Sequence, residues 1–263
     1  MKKYIKLLRI EQWIKNIFVF LPLFFSGSFL HLELFSVSLF AFFIFSFTAS
    51  CIYIINDYID IEADKKHPEK CKRPLASGEI SKSAAKLGFA SLVFLIVFLT
   101  SLVEFIFSID LLYFCLVICA YFIMNIAYTF RLKHIAIVDI SIIALGFVFR
   151  VLAGGYITGI WISQWAILLT FVLALVLAIG KRRGELINSQ INGKTRKALD
   201  GYNIQFADIV LAVSCSLAII CYVMFTLSPD VQSRFNQNIF YTTFFVIFVF
   251  LLQHLLNNIY QVC

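Results

Sequence analysis

The chain has 263 residues, 61% of them hydrophobic and 14% charged, with 30 phenylalanines and a formal net charge of +7. A soluble domain carries about 25% charged residues, so the composition excludes an ordinary water-soluble protein. A mean hydropathy of +0.91 indicates an integral membrane protein. The seven cysteines show no framework spacing: Cys115 and Cys119 are four apart in an apolar run, and no Cys-x-x-Cys pair occurs. They read as small packing residues. The basic segment Met1 to Ile10 has no small-residue cleavage signature and reads as mature sequence.

Charge-free windows set the predicted elements, since a helix needs about 20 apolar residues to cross a bilayer. They run Asn16–Leu32, Leu34–Asn56, Leu87–Val103, Leu111–Phe130, Ile135–Gly180, Ile209–Pro229 and Phe235–Cys263. The fifth is too long for one span, and Gly154, Gly155 and Gly159 predict a turn that divides it. The expectation is therefore eight helices in one membrane domain over residues 1–263. With this count, all of the 22 basic residues except Arg150 and Arg234 fall on one face. The positive-inside rule makes that face, and the N-terminus, cytoplasmic. The two long polar stretches, about 57–82 and 181–208, lie on the same side and are expected to be the catalytic loops. No soluble domain and no internal repeat is evident.

The stretch Asn56-Asp57-Tyr58-Ile59-Asp60-Ile61-Glu62-Ala63-Asp64 carries the strongest chemical signal. Asp57, Asp60 and Asp64 stand at i, i+3 and i+7, one face of a helix. Three like charges at the end of an apolar run repel one another, and a divalent cation removes the conflict. Hard carboxylate oxygens suit Mg²⁺, which commonly shares its coordination with a substrate phosphate. The stretch continues through His67, Pro68, Lys70, Arg73, Pro74, Ser77 and Gly78, with a turn at Ser77-Gly78 and Ser81 as a helix N-cap. Membrane anchoring explains the lysines without explaining the aspartates beside them. His67 reads either as a loop residue or as a ligand contact.

Further along, Tyr128, Arg131 and Lys133 close the fourth span; the two cations either snorkel or reach a phosphate. Asp139 and Arg150, 11 residues apart on one helical face, are ionisable groups inside a span. Such groups usually face the bundle interior and mark function, with a structural interaction as the alternative. Glu104 and Asp110 flank an outer loop and read as solvated. Lys181, Arg182, Arg183, Glu185, Lys194, Arg196, Lys197 and Asp200 make the second polar stretch strongly basic, suited to phosphate oxygens. A surface pair between Lys181 and Glu185 is the plain alternative.

The aspartate motif, followed by His67-Pro68 and Arg73-Pro74-Leu75-Ala76-Ser77-Gly78, resembles the first aspartate motif of the UbiA superfamily of intramembrane prenyltransferases. Within it, four stretches resemble the decaprenyl-phosphate 5-phosphoribosyltransferases: Glu11-Gln12-Trp13-Ile14-Lys15-Asn16, Leu132-Lys133-His134 leading to Asp139, Phe149 through Gly155, and Gly180 through Leu186. The resemblance implies an all-α, UbiA-like bundle; nine helices are usual there, so eight to nine are expected. It implies a Mg²⁺-dependent enzyme of the bacterial cytoplasmic membrane that serves cell-envelope biosynthesis, with no nucleic-acid partner. The reaction implied moves 5-phosphoribose from phosphoribosyl diphosphate to a polyprenyl phosphate.

In that reading Asp57, Asp60 and Asp64 hold the metal, and with Lys133 form the catalytic set. Substrate falls to Asn56, Lys15, Lys70, Arg73, Tyr128, Asp139, Arg150, Lys181, Arg182, Glu185 and Arg196. The superfamily's second Asp-x-x-x-Asp motif is missing, since the second polar stretch offers Glu185 and Asp200 among six basic residues. This departure favours a donor with an additional phosphate over prenyl transfer from a polyprenyl diphosphate to an aromatic or lipid acceptor. A transporter of a phosphorylated solute is the non-enzymatic alternative; such proteins place charge near the midplane, whereas here most of it sits on one face.

Overall fold

The computed structural model describes residues 2–192, 201–229, 231–232, 248–250, 252–253 and 256. All regular elements among them are helical. They are α1 (Lys2–Leu8), a 3-10 helix (Ile10–Phe20), α2 (Leu21–Phe25), α3 (Leu32–Ile59), α4 (Ile61–Lys65), α5 (Lys82–Phe107), α6 (Leu112–Phe130), α7 (Val138–Thr158), α8 (Gln164–Asn192) and α9 (Ile204–Leu227), with short 3-10 turns at Lys70–Lys72 and Leu132–His134. Six of them (α3, α5, α6, α7, α8 and α9) are long and apolar enough to cross a membrane.

These six coincide with six of the eight expected spans. The first expected span, Asn16–Leu32, does not form one regular helix. Its backbone is a 3-10 helix up to Phe20 followed by the single short helix α2, with Pro22 in its first turn. Proline lacks an N–H and is tolerated at a helix start, so it favours a new start over a continued ladder. The last expected span, Phe235–Cys263, lies largely outside the described residues.

The chain divides into two compact units, Met1–Thr129 with Phe149–Trp161, and Phe130–Val148 with Ile162–Cys263. In the first unit α3 packs against α5 and the 3-10 helix. Val37, Ala41, Ile44 and Phe45 of α3 join Val19, Phe114, Ala153 and Ile157 in one buried cluster. A second cluster, around Leu7, Cys51, Ile54, Ile61 and Leu75, lies beneath the polar stretch that follows α3. In the second unit α8 packs on α9, with Val176, Ile179, Leu186, Ala207 and Leu211 in its core.

Two glycine expectations change. Gly154 and Gly155 lie inside α7 rather than at a turn. A Cβ on Gly154 would run into the Val19 carbonyl oxygen, so this glycine permits close backbone packing of the 3-10 helix. The turn falls at Gly159, with φ 67°. The expected turn at Gly78 forms, with φ 79°. Ser81 caps α5, its side chain accepting from the Ala84 N–H at 3.2 Å.

The second polar stretch is not a loop where it begins. α8 continues from its apolar part through Lys181 to Asn192. Ile179, Arg182, Arg183 and Leu186 are all buried, the i, i+3, i+4, i+7 spacing of one helical face. Arg182 and Arg183, two of the charges that suggested a loop, are instead paired within the fold.

Candidate active site

The aspartate motif does not form one continuous helix. α3 ends at Ile59, and Asp60 stands at the break with φ −87° and ψ 7°. Its N–H closes α3 on the Asn56 carbonyl at 3.0 Å, and its carbonyl accepts from the Asp64 N–H at 2.8 Å to start α4. The expectation of three carboxylates on one helical face is corrected accordingly. Asp57 and Asp64 are buried and Asp60 is half-buried. Among the described residues no three His, Cys, Asp or Glu side chains form a group that could hold a metal ion.

Asp57 and Asp64 meet at a shared cation. Arg73 Nη1 donates to Asp64 Oδ2 at 2.6 Å and to Asp57 Oδ1 at 3.2 Å. Arg73 precedes Pro74 and takes the extended backbone that a residue before proline prefers (φ −67°, ψ 143°). A second guanidinium comes from Arg9, whose Nη2 donates to the same Asp57 Oδ1 at 2.5 Å. Arg9 has φ 50° and joins α1 to the 3-10 helix. Its guanidinium lies over the Tyr53 ring at 4.7 Å. Trp13 fixes the approach: its indole N–H donates to Ser50 Oγ at 3.0 Å, and Ser50 Oγ donates to the Leu8 carbonyl at 2.7 Å. Two buried anions and two guanidiniums therefore form one cluster. The donor set fits a hard divalent cation in kind, because Asp57 and Asp64 already turn anionic oxygens toward one positive centre.

The first unit also holds a buried arginine deeper in its helices. Arg150 Nε donates to Asn16 Oδ1 at 2.8 Å, and Asn16 Nδ2 donates to Ser46 Oγ at 2.8 Å. Arg150 Nη2 reaches the Tyr121 hydroxyl at 3.3 Å. The guanidinium also lies over the Phe45 and Tyr121 rings, at 4.9 and 5.3 Å. Two adjacent aromatic rings, with centroids 4.4 Å apart, favour a cation where water is scarce.

In the second unit Asp139, fully buried, is the hub. Arg182 Nε donates to its Oδ2 at 2.7 Å, and the Tyr202 hydroxyl donates to its Oδ1 at 2.5 Å. Arg182 Nη1 also donates to Glu185 Oε2 at 2.7 Å, so Glu185 is engaged by Arg182 rather than by Lys181. The Ile137 N–H donates to the Tyr202 hydroxyl at 2.6 Å, and Ile137 itself takes a left-handed φ of 67°. Such a conformation is costly for a β-branched side chain. Burial and the bond to Asp139 raise the Tyr202 phenol above its ordinary range, so it stays a donor. Arg183 Nε pairs with Asp208 Oδ1 at 2.7 Å.

Of the other expected site residues, Lys15 is exposed on the 3-10 helix, Asn56 is half-buried near the end of α3, and Lys70 is exposed. Tyr128 is half-buried late in α6, Lys133 is half-buried in its 3-10 turn, and Lys181 is exposed on α8. Arg196 lies outside the described residues. His67 serves its own turn, Nδ1 accepting from the Glu69 and Lys70 N–H groups at 3.2 and 3.4 Å. Arg9, Asn16 and Tyr202 join these clusters without having been marked as site members by the sequence pattern. Their partners lie 48, 134 and 63 residues away, and no local pattern announces such pairs.

Comparison with known proteins gives a consistent answer. The profile of the UbiA prenyltransferase family matches residues 17–261. The chain is 36% identical over 231 residues to a decaprenyl-phosphate phosphoribosyltransferase of Mycolicibacterium smegmatis, covering 86% of this chain and 70% of that one. It is 33% identical over 236 residues to the protein of the same name in Mycobacterium tuberculosis, covering 86% and 74%. Among solved structures, a UbiA homolog from Archaeoglobus fulgidus bound to DMAPP and Mg²⁺ superposes with a TM-score of 0.68 at 20% identity, covering 95% of this chain and 86% of that one. The helical architecture is thus UbiA-like, and with the family profile spanning nearly all of its length the chain belongs to the UbiA prenyltransferase family.

Proposed function

We propose that this protein transfers 5-phosphoribose from phosphoribosyl diphosphate to a polyprenyl phosphate and releases diphosphate. The observation that carries this reading is the 36% identity, over 86% of the chain, to a decaprenyl-phosphate phosphoribosyltransferase. The lack of a second Asp-x-x-x-Asp motif in the 181–208 sequence supports it. The chain works as one integral membrane domain of eight to nine spans in a bacterial cytoplasmic membrane. Its N-terminus and active site face the cytoplasm, as the one-sided basic residues favour.

In this reading Asp57 and Asp64, with Asp60 and Asn56 close by in sequence, would hold Mg²⁺ for the diphosphate donor. When bound, that ion neutralises charge on the leaving group. Arg73 places its guanidinium on diphosphate oxygens, and Lys15 and Lys70 add positive charge. In the second unit Lys133, Lys181, Arg182 and Arg196 are cations for phosphate oxygens. Asp139 and Glu185 orient Arg182, while Tyr128 and Arg150 contribute to substrate binding. An oxygen of the lipid phosphate attacks the anomeric carbon of ribose. The bond from that carbon to diphosphate breaks, and diphosphate leaves with the electron pair. The attacking oxygen is already ionised, so no strong general base is needed. Electrostatic stabilisation of the departing charge is then the main contribution of the protein.

The test is a donor comparison with purified protein, Mg²⁺ and polyprenyl phosphate. Lipid-linked phosphoribose formed from phosphoribosyl diphosphate supports the assignment. Absence of that product, together with transfer from a prenyl diphosphate to an aromatic acceptor, replaces it with the second reading. That second reading draws on the prenyl diphosphates DMAPP and GPP bound in structures of the Archaeoglobus fulgidus homolog.

A further inference from the structure

Asp57 Oδ1 accepts from both Arg9 and Arg73, and Asp64 Oδ2 accepts from Arg73. These are oxygens a divalent metal would use, and a carboxylate oxygen has two lone pairs. Two guanidinium donors fill those of Asp57 Oδ1. A metal added to the intact cluster would set four positive charges against two negative ones. A diphosphate arriving with the metal would restore the balance and offer the guanidiniums new acceptors of the geometry they bind best.

The arginines are built to make that move. Their side chains remain 20% and 25% exposed, whereas the Asp57 side chain is 2% exposed. Both stand on backbone outside the α-helices, Arg9 at a left-handed bend and Arg73 on an extended pre-proline residue. The Tyr53 ring offers a face along which the Arg9 guanidinium can shift while keeping a favourable contact.

We propose that Arg9 and Arg73 form an internal cation clamp. In the resting protein they occupy the carboxylate oxygens of Asp57 and Asp64, and they yield them when metal and diphosphate enter together. The proposal rests on the reading above that these aspartates hold the metal. It makes metal and diphosphate binding interdependent and leaves the resting protein a poor binder of metal alone. A clamp of this kind keeps the buried anions neutralised between turnovers.

The experiment titrates purified full-length protein with Mn²⁺ as a spectroscopic substitute for Mg²⁺, reading free Mn²⁺ by electron paramagnetic resonance. Wild type is compared with Arg73→Gln, Arg9→Gln, Arg73→Lys and Asp57→Asn. Removing one guanidinium should tighten Mn²⁺ binding roughly tenfold, the size of one charged hydrogen bond. Arg73→Lys, which keeps a cation, should fall between Arg73→Gln and wild type. If Arg73→Gln does not fold, Arg9→Gln makes the same comparison. Protein-retained Mn²⁺ after rapid gel filtration should rise when inorganic diphosphate is included with wild type. If both glutamine variants bind Mn²⁺ no tighter than wild type while Asp57→Asn loses binding, the clamp is overturned and the metal assignment stands. If no protein retains Mn²⁺ with or without diphosphate, the metal assignment fails and the clamp with it.

Discussion

The Asp57 cluster of the first unit and the Asp139 cluster of the second both bury carboxylates against guanidiniums, yet they differ in how the cation is held. At Asp57 the carboxylates are buried while the arginines stay 20–25% exposed and arise from a bend and a pre-proline residue. At Asp139 the cation is buried as deeply as the anion: the Arg182 side chain is 2% exposed and lies within α8. Tyr202, steadied by the Ile137 N–H, occupies the other Asp139 oxygen. The difference separates an ion pair that can exchange partners from one that fixes a side chain in place. Ligand exchange belongs with the first arrangement and orientation with the second.

The strongest way to break this comparison is Asp139→Ala. Removing one partner of a buried ion pair costs about 3–5 kcal/mol, and the lower end is expected because Arg182 keeps its bond to Glu185. Thermal unfolding in detergent should show that loss. A melt near that of wild type would mean that Glu185 alone is enough to hold Arg182, and Asp139 would then not be the fixing partner.

Tyr202→Phe removes the hydroxyl that donates to Asp139 and accepts from Ile137. The loss should be about 1–3 kcal/mol, the cost of buried groups left without a partner. Alkaline pH sharpens the same test. The raised Tyr202 phenol contributes stability that is fully present below the ordinary tyrosine value of about 10 and is lost as pH rises through the higher folded value. The stability gap between wild type and Tyr202→Phe should therefore narrow at strongly alkaline pH; an unchanged gap would place the hydroxyl's contribution elsewhere.

Ser81→Ala gives the smallest effect and a baseline outside both clusters. Loss of its N-cap bond to Ala84 should cost about 1 kcal/mol, again read from unfolding, with transfer activity unchanged. A larger effect would show that the start of α5 supports more than its own helix.

Much of this was legible in the chain. The charge-free run Leu34 to Asn56 announced α3, Ser81 announced the start of α5, and the aspartate motif pointed to the region where Asp57 and Asp64 converge. Other features were hidden by physical causes that a local reading does not sense. The break at Asp60 interrupts a spacing that suits a helix perfectly well. The basic residues after Gly180 looked like a solvated loop because their acidic partners Asp139 and Asp208 lie 43 and 25 residues away. Once those pairs form, Arg182 and Arg183 are buried and α8 simply continues. Asn16–Leu32 is apolar enough for a span, but its 3-10 backbone and the proline start of α2 set a different path. Arg9 was visible as one more basic residue of the N-terminus, and its pairing with Asp57 depends on the bend that positions it.

The central claim is that Asp57 and Asp64 carry the metal-assisted release of diphosphate. It is tested most directly by measuring lipid-linked phosphoribose formation by wild type, Asp57→Asn and Asp64→Asn across a Mg²⁺ titration, with unfolding checked in parallel. The account predicts folded variants whose transfer falls by about 10²–10³-fold, as when a group stabilising transition-state charge is removed, together with a shifted Mg²⁺ dependence. Amide variants that retain wild-type turnover and the same Mg²⁺ requirement would contradict it.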